Sequence, residues 1–179
     1  MFRGVLMAVL AAVSYTQVPS INADTTMISA SGISSGAFMA VQFHVAFSSQ
    51  VKGVGVVAGG PYHCSEGSPL TAINTCMNNP SAINTDDLEA YIDKESSSGI
   101  DDATNLVNSK VFIFAGTKDT VVNPQSGHHA EDLYLKLGAD VKTEYSIAAE
   151  HSMVTKDYGN ACDYKGSPYI NKCDYDTAF

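Results

Sequence analysis

The chain has 179 residues, 45% of them hydrophobic and 16% charged, enough apolar material for a folded core and too ordered a composition for a disordered tail. Ten basic residues against nineteen acidic ones give a net charge of -9. That balance argues against nucleic-acid binding, which rests on clustered Lys and Arg.

Arg3 precedes an apolar run at 4–13 and small residues follow it, so residues 1–23 are expected to be a secretory signal cleaved between 14 and 23. The run is shorter than the roughly 20 residues of a membrane span, and no later segment reads as one. Residues 24–179 are expected to form the folded domain. Residues 25–30 read as a short strand leading into Ser31-Gly32-Ile33-Ser34-Ser35-Gly36. Phe38, Val41 and Val45 then fall at helical spacing within 37–47, and 51–58 is a compact apolar strand closed by Gly59-Gly60-Pro61. Strand, tight glycine turn, helix and strand make a βαβ unit of a parallel sheet.

Residues 62–82 read as a Ser/Asn/Pro-rich loop, followed by a helix over 85–96 with Asp86 and Glu89 near its N-terminus. Residues 110–115 (K-V-F-I-F-A) form the clearest strand, and a turn at 116–120 follows it. Pro124 opens a helix running to Leu137, with Gly138 as its cap. A last alternating strand at 141–147 delivers Glu150 and His151. The tail is rich in Gly, Asn, Tyr and Asp.

Cys64 and Cys76 lie near one another, as do Cys162 and Cys173, and neither pair has C-x-x-C spacing. An even count in an exported chain points to disulfides. Four cysteines allow three connectivities, and the two local pairings are favoured because each closes a short loop. No N-x-[ST] acceptor with a permitted middle residue is present.

Gly32-Ile33-Ser34-Ser35-Gly36 matches G-x-S-x-G, a pattern that places a nucleophilic serine on a sharp strand-to-helix turn. Ser34 is the expected nucleophile, and the Ser35 N–H at the helix start is the expected oxyanion donor. A serine needs a base and an orienting acid. Asp119, after one buried strand, and His151, after the last one, supply them in the order serine, acid, histidine. His44 belongs to the helix after the turn, and His63 to the loop. His128 and His129 are adjacent and face different sides of a helix, so no metal pair is expected there. Asp101 and Asp102 precede a strand and lie at the wrong end of the sheet, whereas Asp119 competes with an ordinary turn-forming role.

Four segments carry a more specific likeness: 31–41 (S-G-I-S-S-G-A-F-M-A-V), 58–64 (A-G-G-P-Y-H-C), 114–122 (F-A-G-T-K-D-T-V-V) and 162–176. Together they resemble extracellular poly(3-hydroxybutyrate) depolymerases of the single-domain type, from about residue 25 onward. The resemblance implies a circularly permuted α/β-hydrolase fold, a mostly parallel sheet with flanking helices. It also implies hydrolysis of short-chain hydroxyalkanoate polyesters or their oligomers by a secreted serine esterase, without metal or organic cofactor. By motif, Ser34 matches the nucleophile, Asp119 the acid and His151 the base; pairing Cys64 with Cys76 and Cys162 with Cys173 is in keeping with it. Family members continue beyond the point matching Phe179, so the fold is expected to be partial, with about four strands and an exposed edge at the first. A feruloyl or acetyl polysaccharide esterase, and a catalytically silent homologue, are the alternative functions. Beyond an ester substrate, no nucleic-acid or membrane partner is expected.

Overall fold

The computed structural model describes residues 22–177, so the expected signal segment lies outside the described residues except for its last two positions. Four strands form a parallel sheet in the order β1-β2-β3-β4: β1 (Ile28–Ile33), β2 (Val51–Val57), β3 (Lys110–Phe114) and β4 (Asp140–Glu144). Between them run α1 (Ser35–Ala46), a short turn α2 (Pro69–Thr71) continued by a π-helical segment (Ala72–Asn78), α3 (Thr85–Glu95) and α4 (Gln125–Lys136). Each parallel neighbour is reached through a helical crossover, the connection parallel strands require.

Strand alternation sorts the side chains onto two faces. Val54 and Val56 of β2 and Val111 and Ile113 of β3 join the buried sides of α1, α3 and α4 in one core. Phe114 and Val57 point into a second cluster with Ala149 and Val154, against which Ile33, Met153 and the Cys162–Cys173 bridge pack. That second cluster is built on the C-terminal tail, where β5 (Met153–Thr155), β6 (Asn160–Ala161) and β7 (Ile170–Lys172) form a small parallel sheet in the order β5-β7-β6. It extends the sheet's support beneath the ends of β1, β2 and β3.

The expected elements are present, with shifted limits. β1 starts at Ile28 and runs on to Ile33, so the strand continues directly into the sharp turn. β4 ends at Glu144, and the following loop detaches to bond with the residues after β3, Thr117 N–H to the Ile147 carbonyl at 2.9 Å and Lys118 N–H to the Ala149 carbonyl at 3.2 Å. The buried face of α1 is Ala37, Ala40, Val41, His44 and Val45, while Phe38 turns partly outward. Asn84 caps α3 through its side chain, accepting from the Asp86 N–H, and Gly138 closes α4 in the left-handed region at φ 77°. The tail forms strands that its polar composition did not announce. β1 lies at the edge of the main sheet, as expected.

His44 is fully buried, its Nδ1 3.0 Å from the Tyr134 hydroxyl across the interface of α1 and α4, and its Nε2 has no partner among the described residues. Burial, with a smaller contribution from the charge of Lys52, holds its pKa down at about 4. The unfolded chain takes up a proton below about pH 6.5 that the native state refuses until about pH 4. The stability this confers is complete above pH 6.5 and is lost as pH falls toward 4, to the extent of roughly 3 kcal/mol. We therefore expect Tm to drop over that window, and the drop to be reduced in His44→Gln. Thermal melts of both proteins at a series of pH values check this, with equal pH slopes as the contrary result.

Candidate active site

Ser34 sits between β1 and α1 with φ 58° and ψ -126°, a backbone conformation that a non-glycine residue adopts only where its surroundings enforce it. Its N–H donates to the Val57 carbonyl at 2.9 Å, and its carbonyl accepts from Ala37 and Phe38. A serine at a helix N-cap ordinarily turns its hydroxyl onto the first-turn N–H groups, but Ser34 makes no side-chain cap bond. The N–H groups of Ser35 and Gly36 precede those two bonded donors, and a helix leaves them without an internal acceptor.

The glycines on either side of Ser34 have unequal roles. A β-carbon on Gly32 would overlap the carbonyl group of Gly36 and lie 2.8 Å from the Ala37 nitrogen, so the start of α1 passes directly over Gly32. A β-carbon on Gly36 would meet nothing within 4 Å. Both glycines fit the sequence pattern, yet only the first is required by close backbone approach.

Asp119 follows the turn after β3. Its Oδ1 accepts from the N–H groups of Val121 at 2.8 Å and Val122 at 2.9 Å, which fixes the carboxylate, and its Oδ2 lies 2.8 Å from His151 Nδ1. The side chains are 2% and 7% exposed, so this pair is withdrawn from solvent screening. With Nδ1 engaged by the carboxylate, Nε2 is the ring nitrogen left for other contacts. Ser34, Asp119 and His151 all lie beyond the C-terminal ends of the main-sheet strands. Among the described residues the Ser34 hydroxyl makes no hydrogen bond to His151, so the serine is placed at the same end without being engaged by the imidazole.

A cavity of about 360 Å³ opens beside Ser34 and Ser35. Its walls include Phe38, Met39, Met77, Val122 and the bridged Cys64 and Cys76, with Gln42 as a polar contributor. The disulfide Cys64–Cys76 thus holds a wall of this cavity, and Cys162–Cys173 holds the tail behind His151. Both local pairings favoured from the sequence are formed, and no cysteine is free. Of the other histidines, His63 stacks on Tyr91 at a ring separation of 3.6 Å, His128 packs against Tyr145, and His129 follows His128 within α4. Asp101 accepts from Ser49 and Asp102 from Thr104, both on the far side of β3 in the chain from Asp119. Among the described residues no group of three or more His, Cys, Asp or Glu is arranged to hold a metal, and no helix is long and apolar enough to cross a membrane.

Glu150 and Thr120 did not stand out as site residues in the sequence. Glu150 is buried, and its carboxylate accepts from the Thr120 hydroxyl, the Thr120 N–H at 3.3 Å and the His151 N–H at 2.6 Å. Burial by itself would raise its pKa; these hydrogen bonds outweigh burial and leave it below the ordinary value. The two partners are 30 residues apart, and only their adjacency to His151 and Asp119 could have drawn notice.

No family model matches the chain. The chain is similar to the poly(3-hydroxybutyrate) depolymerase of Delftia acidovorans, 47% identical over 165 residues that cover 90% of this chain and 33% of that protein. It is also similar to a polyhydroxybutyrate depolymerase of Talaromyces funiculosus, 35% identical over 178 residues, covering 94% and 50% of the respective chains. In structure it matches the PHB depolymerase from Penicillium funiculosum with a TM-score of 0.77 at 30% identity, over 91% of this chain and 52% of that one. A PHB depolymerase with one serine replaced by alanine, complexed with an R3HB trimer, matches with a TM-score of 0.76 at 30% identity, over 89% and 51%. The chain therefore spans about a third to a half of the relatives it matches. The fold is α/β-hydrolase-like, as the sequence led us to expect.

The unequal glycines give a direct test of the turn. Gly32→Ala is expected to cost about 1–3 kcal/mol through backbone overlap, whereas Gly36→Ala should be neutral or stabilising by up to about 1 kcal/mol. Equilibrium urea unfolding of the two variants checks the contrast, and equal losses would contradict the close approach at Gly32.

Proposed function

We propose that this homologue of poly(3-hydroxybutyrate) depolymerases is a secreted serine esterase acting on short-chain poly(3-hydroxyalkanoate) polyester or its oligomers. The observation that carries the reading is the buried Asp119–His151 hydrogen bond, placed at the same end of the sheet as an uncapped Ser34 on a left-handed turn. The mostly apolar cavity beside Ser34 suits an aliphatic acyl chain, and the two disulfides are in keeping with an oxidising, extracellular setting.

In this mechanism His151 Nε2 takes the proton from the Ser34 hydroxyl as Oγ attacks the ester carbonyl. Asp119 holds the imidazole in the tautomer with Nδ1 protonated and stabilises the imidazolium that forms. The Ser35 N–H donates to the oxyanion of the tetrahedral intermediate. Collapse breaks the ester C–O bond, and the imidazolium returns its proton to the departing alkoxide. Water, deprotonated by His151, then attacks the acyl-enzyme; collapse frees the carboxylic acid and restores the Ser34 hydroxyl. The hydrogen bond from the Ser34 hydroxyl to His151 Nε2 then forms in the substrate complex, where catalytic hydrogen bonds often tighten.

Release of hydroxybutyrate from a soluble 3-hydroxybutyrate trimer tests the assignment. Ser34→Ala and His151→Ala should each reduce turnover by at least about 10³, and Asp119→Asn by a comparable factor. Faster release from feruloyl esters than from the trimer would move the substrate to plant polysaccharide esters, and retention of activity in Ser34→Ala would overturn the mechanism.

A further inference from the structure

Two loops meet at the Asp119–His151 pair, and beyond the main-chain bonds of Thr117 and Lys118 they are cross-linked by side chains in both directions. Asp119 reaches from the loop after β3 to the His151 ring. Glu150 reaches back from the loop after β4, through its carboxylate, to the hydroxyl and N–H of Thr120, the residue next to Asp119. The same carboxylate accepts the His151 N–H at 2.6 Å, so one buried group touches the backbone adjoining both members of the pair. Its main chain is fixed as well: the Glu150 N–H donates to the Cys162 carbonyl at 3.0 Å, and buried Asn171 donates to that same carbonyl. Lys165 closes the cluster by donating to the Thr120 hydroxyl oxygen at 2.8 Å.

A buried carboxylate is costly unless its oxygens are satisfied, and here they are satisfied by donors belonging to the two loops whose separation sets the acid–base distance. We propose that Glu150 is a positioning residue for the esterase reaction, holding Asp119 at hydrogen-bond distance from His151 by tying Thr120 to the His151 backbone. The proposal rests on the reading of Ser34, Asp119 and His151 as the reacting set. Glu150 touches no reacting atom and acts through Asp119. A misplacement of about 1 Å in such a pair can lower turnover by about 10², whereas substrate binding in the cavity lined by Phe38 and Met77 is unaffected.

The test measures kcat and KM on the 3-hydroxybutyrate trimer for wild type, Glu150→Gln, Thr120→Val, Asp119→Asn and the Asp119→Asn/Glu150→Gln double variant, each shown by circular dichroism and a cooperative melt to be folded. Glu150→Gln retains the shape but offers one acceptor where the carboxylate offered two, and Thr120→Val removes the hydroxyl from the other side. The expected result is a ten- to hundredfold fall in kcat for Glu150→Gln, a smaller fall for Thr120→Val, and KM within about twofold of wild type. In the Asp119→Asn background Glu150→Gln should have little further effect, because the group it positions is already disabled. A wild-type kcat in folded Glu150→Gln overturns the proposal, as does a full multiplicative loss in the double variant, which would show an effect independent of Asp119. Failure of the underlying reading is seen separately, as turnover that survives Ser34→Ala.

Discussion

The close passage of α1 over Gly32 governs the arrangement of this molecule. With no side chain at that position, the chain turns from β1 into α1 within one residue, and the residue at the corner, Ser34, is forced to positive φ. A longer turn would let the helix begin further from the sheet and would let the serine cap it in the usual way. Compression instead leaves the hydroxyl unused by the helix and the first N–H groups of α1 open beside the cavity. The strain at Ser34 is offset by its own main-chain bond to Val57 and by the burial of Ala37, Ala40 and Val41 against the sheet.

The other half of the site depends on loops, which are ordinarily the mobile part of a fold. Here they are restrained by a run of main-chain bonds over the strand ends, from Ser34 to Val57, Ala58 to Phe114, Ala115 to Glu144, and Lys118 to Ala149. Gly116 permits this last approach, since a β-carbon there would overlap the Ala149 carbonyl. The two disulfides act on the same region from outside: Cys64–Cys76 braces the cavity wall and Cys162–Cys173 the tail that supports Glu150 and His151. Secondary structure and covalent bridging thus hold Asp119 and His151 together where chain flexibility would otherwise separate them.

Much of this was legible in the sequence because it is local. G-x-S-x-G, the apolar run at Val51–Val57, the K-V-F-I-F strand and the glycine after α4 each announce their geometry within a few residues. The order of Ser34, Asp119 and His151 followed from the strands that precede them. What stayed hidden depends on distant pairing. Glu150 meets Thr120 only because the loop after β4 folds back over the end of β3. His44 reads as a polar or partly buried residue on a helix, and nothing nearby in the chain shows that Tyr134, 90 residues on, receives it in the core. The tail strands β5 to β7 are two or three residues long and pair in an order no periodicity encodes. Phe38 fits the helical spacing as well as the buried alanines do, yet it is only partly buried and lines the cavity beside Ser34.

The central claim is that the hydroxyl of Ser34 is activated by His151. Treatment with a serine-reactive fluorophosphonate, followed by peptide mass analysis, addresses it without any choice of substrate. The account predicts one adduct, on Ser34, formed by the wild-type protein and lost in His151→Ala. No adduct on a folded wild-type sample, or an adduct on Ser34 that forms equally well without His151, would contradict it.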